Sequence, residues 1–151
     1  MSLDKIKSSI PHREPFLLLD EIVEQSDARI VCRKTFTGDE FWYRGHYPDF
    51  PITPGVILCE AAMQAGAVLL SNLVTDSPDA VPVATRANNV QFKQMVMPGD
   101  TIDLEVELTE RLASAFFMKA KVTVKGKVAC RFDFACTLTP KNRTRINADD
   151  V

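Results

Sequence analysis

Two side chains in this sequence are equipped for acid/base chemistry, His46 and Glu60. His46 sits in the loop GHYPDFPITPG, which carries Pro48, Pro51 and Pro54. Each proline fixes its own φ and pushes the residue before it out of the helical region, so the backbone around the imidazole is stiff. A neutral imidazole titrates close to working pH and suits a base. Glu60 and Gln64 interrupt an apolar run at a spacing of four, which puts them on one face of a helix. A carboxylate there is costly unless it is partnered or neutral, and desolvation raises its pKa as an acid catalyst needs. Taken singly, His46 reads as a hydrogen-bonded loop histidine and Glu60 as a buried salt-bridge or interface carboxylate. Both within one loop–helix unit read as an acid/base pair.

The elements that position them follow from the pattern. Thr53 offers an N-cap oxygen and Pro54 fits the first helical position, so a helix is predicted from there to about Val74. It is apolar nearly all round, from Val56 through Leu70, which means burial in a domain or a membrane crossing. The run is short for a span and contains Glu60 and Gln64, so no membrane span is expected. Residues 3 to 10 predict a short helix ended by Pro11, and His12 after it reads as a surface or loop-packing histidine. Strands are predicted over residues 15 to 24 and 29 to 36, joined by the turn Gln25-Ser26-Asp27, and over 83 to 96, 101 to 112, 115 to 125 and 127 to 139. Residues 75 to 82 read as a polar turn. Phe41, Trp42 and Tyr43 either wall a tunnel or pack under the helix, and packing is the reading for at least two of them. Ile102, Leu104, Val106 and Leu108 alternate against Asp103, Glu105 and Glu107, which gives an antiparallel strand with one dry face. A curved antiparallel sheet wrapped around one long central helix buries both apolar surfaces, an α+β fold. Residues 1–140 form the single domain and 141–151 a polar tail.

The totals exclude several classes. A chain of 151 residues supports one domain with a core, and a net charge of −2 argues against a general nucleic-acid binder. Cys32, Cys59, Cys130 and Cys136 contain no Cys-x-x-Cys pair, and with two histidines a zinc site is not expected. Free thiols and the lack of a visible signal peptide point to a cytoplasmic protein. Neither a G-x-G-x-x-G, a P-loop nor a G-x-S-x-G elbow appears.

The central segment resembles the signature of the β-hydroxyacyl-[acyl-carrier-protein] dehydratases of the FabZ type. The matching residues are Gly45-His46-Tyr47-Pro48, Pro54-Gly55-Val56, Glu60 and Gln64-Ala65-Gly66. PHREPFLLLDEI (Pro11 to Ile22) and VQFKQMVMPGDTIDLEVEL (Val90 to Leu108) agree in the same order, so the resemblance covers most of the chain. Departures are Tyr47 where Phe is usual, Thr53 where Met is common, and Gln94-Met95 where a basic residue and Pro are frequent.

The resemblance implies a hotdog fold and dehydration of a (3R)-3-hydroxyacyl thioester to the trans-2-enoyl form in fatty acid biosynthesis. His46 would act as base and Glu60 as acid or water-positioner. Around Gly55 and Val56, the first helical turn offers free N–H groups and a positive dipole end to the thioester oxygen. Gly55 also admits close approach to the backbone. Gln64 either orients Glu60 by a hydrogen bond or packs the helix on a strand. No metal or redox cofactor is implied; the substrate arrives on the phosphopantetheine of an acyl carrier protein. Arg86, Lys93, Arg111, Lys119 and Lys121 are candidates for a basic patch facing that acidic carrier, or for a solvated strand face. The resemblance also implies a homodimer, assembled in FabZ-type members as three dimers, with the His of one chain meeting the Glu of the other. Glu60 lies roughly 9 Å along the helix axis from Pro54, which makes a shared site plausible on distance alone. Other hotdog enzymes, a thioesterase or a dehydratase-isomerase (with Asp where Glu60 stands), and a non-catalytic acyl-binding module are the competing readings.

Overall fold

A computed structural model of the chain describes residues 2–74 and 79–141. The elements are helix α1 (Ser2–Ser9), strands β1 (Glu21–Gln25) and β2 (Arg29–Thr35), a 3-10 turn (Phe41–Arg44), helix α2 (Gly55–Ser71), and strands β3 (Ala80–Phe92), β4 (Thr101–Leu112), β5 (Ala115–Val124) and β6 (Lys127–Pro140). The six strands form one antiparallel sheet in the order β1-β2-β4-β5-β6-β3. It wraps α2, which packs against β2, β3, β4, β5 and β6. The expected sheet around one helix is therefore present.

Helix α2 is built from strong helix formers, chiefly Ala and Leu with Met, Glu and Gln, and its apolar surface meets the dry face of the sheet. Val68, Leu69 and Leu70 are fully buried, each stabilised by about 1.5–3 kcal/mol relative to exposure. Gly66 lets the helix approach β6 closely: a β-carbon there would stand 2.8 Å from the Phe134 ring. On the sheet side, Ile102, Leu104 and Val106 are fully buried while Glu107 is exposed, as the alternation required.

Four local readings are corrected. Residues 15 to 20 are not strand. Their backbone is strapped to α2 instead: Gln64 accepts the Leu18 N–H on Oε1 (2.8 Å) and donates from Nε2 to the Phe16 carbonyl (2.8 Å). Those groups are thereby withdrawn from any ladder, and β1 begins only at Glu21. Helix α2 starts at Gly55, with Pro54 at the N-cap position and no side-chain cap, because the Thr53 hydroxyl is engaged by Tyr43 (2.6 Å). The helix ends at Ser71 rather than near Val74, closed by the Leu73 N–H on the Leu70 carbonyl (2.9 Å). Of the expected turn at 75 to 82, residues 75–78 lie outside the described residues, and Ala80–Pro82 belong to β3. The expected tail lies outside them from residue 142 onward; the Lys141 N–H reaches the Asp79 carbonyl (2.8 Å).

Candidate active site

The loop that carries His46 is held from several directions. The His46 N–H donates to the Trp42 carbonyl (3.0 Å), and Nδ1 lies 3.0 Å from the Ile52 carbonyl. A carbonyl only accepts, so Nδ1 carries a proton in this contact, and in the neutral ring Nε2 is the nitrogen with the lone pair. Tyr47 follows with φ of 50°, a left-handed conformation that a bulky residue adopts only when its surroundings impose it. The Phe50 N–H closes the turn onto the Tyr47 carbonyl (2.8 Å), and the His46 and Tyr47 rings meet edge-on with centroids 4.8 Å apart. Of the three aromatics before the loop, Trp42 and Tyr43 are buried and Phe41 is half-exposed, so packing accounts for two of them.

Glu60 lies in the second turn of α2 and is partly buried. Desolvation pushes its carboxyl above the ordinary value of 4.5, and a hydrogen bond from Gln64 opposes the shift. That bond, from Nε2 to Oε2, is long at 3.4 Å. Gln64 is itself only 1 % exposed and divides its amide among Phe16, Leu18 and Glu60. Gln64 thus anchors the 15–20 segment, which is not a strand, and stands beside Glu60.

Gly55 also serves the packing of the fold. A β-carbon on it would lie 2.6 Å from the Phe92 ring, so its missing side chain makes room for the end of β3. Val56 is 71 % exposed at the helix start. Around them Tyr47, Phe50, Phe92 and Met95 are also exposed, an apolar margin beside the His46 loop. No hydrogen bond or ion pair joins His46 to Glu60 among the described residues.

The five basic candidates separate. Lys121 pairs with Glu105 (3.0 Å), Lys119 stands opposite Glu107 and Asp133 in register, and Arg111 lies over the Phe116 ring (4.8 Å). Arg86 lies on β3, and Lys93 directly follows Phe92 at its end. His12 is a partly buried loop histidine, its pKa lowered by burial and by Arg13. Cys32, Cys59, Cys130 and Cys136 are free thiols; Cys59 Sγ stands 3.9 Å from Cys130 Sγ. Among the described residues no group of three or more His, Cys, Asp or Glu side chains is placed to hold a metal ion. No helix there is long and apolar enough to cross a membrane. Sequence reasoning singled out Tyr43 only as a wall or packing aromatic and missed its bond to Thr53, the Ile52 carbonyl and Phe92; none of these is signalled by local pattern, since each acts through a contact across the fold.

Residues 10–133 match the family described as "FabA-like domain". The chain is 42 % identical over 130 residues to the 3-hydroxyacyl-[acyl-carrier-protein] dehydratase FabZ of Clostridium perfringens, covering 86 % of this chain and 93 % of the relative. It is 36 % identical over 151 residues to the protein of the same name from Solibacter usitatus, covering 100 % of this chain and 93 % of the relative. Among solved structures, a dehydratase heterocomplex, ApeI:P, from Xenorhabdus doucetiae superposes with a TM-score of 0.76 at 18 % identity, covering 90 % of this chain and 91 % of that one. The Escherichia coli PaaI protein superposes with a TM-score of 0.61 at 17 % identity, covering 77 % and 80 %. The fold is the hotdog fold.

Proposed function

The chain belongs to the FabA-like family as a FabZ-type 3-hydroxyacyl-[acyl-carrier-protein] dehydratase, and from that premise we propose that His46 and Glu60 carry its chemistry. The reaction is dehydration of 3-hydroxyacyl-[acyl-carrier-protein] in fatty acid biosynthesis. His46 Nε2 takes the proton from C2. The protonated Glu60 carboxyl gives its proton to the C3 hydroxyl, which leaves as water, and the double bond forms between C2 and C3. The N–H groups of Gly55 and Val56, in the first turn where helical partners are lacking, meet the negative charge building on the thioester oxygen. The substrate is the (3R) alcohol and the product the trans-2-enoyl thioester. No metal or redox group is asked for.

The observation that carries the reading is the pairing of states. His46 is held with Nε2 free to accept a proton, and Glu60 is held where burial favours the protonated carboxyl. A neutral base and a neutral acid can coexist at one working pH. We assign the enzyme to the cytoplasm, with free thiols and an acyl carrier protein docking at Arg86 and Lys93.

The active site is completed by a second copy of the chain. β3 is an edge strand whose residues 86 to 92 are exposed on both faces, and the apolar margin of Tyr47, Phe50, Val56 and Met95 stands beside it. A long open edge with apolar flanks favours pairing with an identical edge about a two-fold axis, and three such dimers assemble further. His46 of one subunit then serves with Glu60 of the other. Complementation tests this. His46→Ala and Glu60→Gln proteins, each inactive, are unfolded, mixed and refolded. A mixed dimer holds one intact site, so random pairing returns roughly a quarter of parental enoyl-thioester formation. A mixture that stays inactive despite demonstrated subunit exchange overturns the shared site.

A further inference from the structure

We propose that the buried Tyr43–Thr53 hydrogen bond is a strut that sets the tautomer and reach of His46, making both positioning residues for the reaction. The inference rests on His46 being the base.

The bonds form a closed circuit. His46 Nδ1–H donates to the Ile52 carbonyl (3.0 Å). That carbonyl shares one rigid peptide plane with the Thr53 N–H, which donates to the carbonyl of Val96 (2.8 Å), a residue 1 % exposed. The peptide is thereby pinned at both edges. Thr53 Oγ1 then meets the Tyr43 hydroxyl (2.6 Å). Tyr43 lies in the 3-10 turn whose Trp42 carbonyl accepts the His46 N–H (3.0 Å), which closes the circuit. Pro54 restricts Thr53 from the other side. The Tyr43 ring is fixed in turn, edge-on to the fully buried Phe36 with centroids 6.5 Å apart.

Burial gives the strut its stiffness. Tyr43 is 5 % exposed and Thr53 6 % exposed, so water does not replace a lost partner. Removing either hydroxyl leaves the other buried without this partner, and the Ile52–Thr53 peptide is then free to tilt. A tilted carbonyl releases Nδ1, which lets the proton move to Nε2 and removes the lone pair that the reaction uses. A displacement of the base by a fraction of its hydrogen-bond length also weakens catalysis out of proportion to binding.

The chain has two histidines, so nitrogen-15 labelling of the imidazoles gives two sets of ring signals, and a His12→Gln protein identifies which belong to His46. In the parental protein at neutral pH the His46 signals report a proton on Nδ1 and a lone pair on Nε2. In folded Tyr43→Phe and Thr53→Val proteins they report a mixture of tautomers. In both, kcat falls about ten- to a hundredfold with KM within about twofold of parental. Thr53→Ser restores tautomer and kcat together. The double variant Tyr43→Phe/Thr53→Val is no worse than the worse single, because each cuts the same strut. Parental tautomer and kcat in either folded single variant, or losses that multiply in the double, overturn the proposal. A His46→Ala protein separates the two questions. If it keeps turnover, the base assignment fails while the nitrogen signals still judge the strut; if it is inactive while Tyr43→Phe is parental, only the strut fails.

Discussion

The sheet has two edges, and they are built in opposite ways. β1 is five residues long, bends at a bulge between Ile22 and Glu24, and is covered by α1. Its glutamates are tied to the neighbouring strand, Glu21 by Arg33 (3.6 Å) and Glu24 by Arg29, and Lys5 of α1 donates to Gln25 (3.3 Å). Short length, charge, a bulge and a covering helix are the devices that keep an edge from pairing. β3 is thirteen residues long, and residues 86 to 92 are exposed without interruption. It too has bulges, after Ala84 and after Asn88, and it carries Pro82, which an edge position tolerates. Its far end, however, reaches the helix start: Phe92 lies over Gly55, and Val96 beyond it anchors the Thr53 N–H. The difference teaches that the edge left open is the edge next to His46. One edge is closed within the chain, and the other is left open.

The largest effect belongs to the chemical side. His46→Ala keeps the fold and lowers kcat by about a hundred- to ten-thousandfold, read as enoyl-thioester absorbance. Near-parental turnover in the folded variant ends the assignment of His46 as base. Next in size is a charge on the open edge. Val90→Lys blocks strand pairing, so sedimentation shows the monomer mass, and activity per chain falls by about tenfold or more because the shared site is lost. A dimer of parental activity removes β3 as the interface.

Smaller still is a stability effect within the helix. The folded-state pKa of Glu60 is raised above 4.5, so the folded protein holds that proton more tightly than the unfolded chain. The associated stability is complete below the unfolded value and is lost as pH rises through the folded one. Glu60→Gln has no such loss. Relative to parental protein it therefore gains stability as pH rises above the unfolded-state carboxyl value, read by urea unfolding, while its turnover is abolished. A difference that shrinks with rising pH contradicts a buried, proton-holding carboxyl. The smallest effect sits on the closed edge. Val23→Lys on β1 leaves mass and turnover unchanged and stability within about 0.5 kcal/mol. Dissociation of the assembly by Val23→Lys would reverse the roles of the two edges.

Legibility in the sequence followed the range of the interactions. β4 was read at its observed limits, Thr101–Leu112, because Ile102, Leu104 and Val106 face the core and the polar residues between them face out. Helix α2 was legible for the same local reason. The stretch around Leu17, Leu18 and Leu19 misled, since a buried apolar run looks alike whether a ladder or one glutamine side chain satisfies its backbone. Thr53 before Pro54 is a good local cap, but Tyr43, ten residues earlier, takes its hydroxyl. That Gly55 also makes room for Phe92, from the far end of β3, is a contact no local pattern signals. His46 and Glu60 stood out because their oddity is local: a polar group in a stiffened loop and a carboxyl in an apolar helix.

The strand order also sets a timetable. β2 pairs with β4, Arg29 opposite Glu107 and Thr35 opposite Thr101, while the strand between them in sequence, β3, waits for β6 at the far edge. Such distant pairings are slow to form because the intervening chain must first be closed into a loop. As the chain leaves the ribosome, the β1–β2 hairpin and the apolar helix are both made before β3, β4, β5 and β6 exist, so β2 alone of the strands packed on the helix is at hand to cover it. Only when β4 emerges can wrapping begin, and only after β6 does the open edge take its place. For that interval the most apolar segment of the protein is only partly covered, which makes synthesis the stage at which aggregation competes with folding.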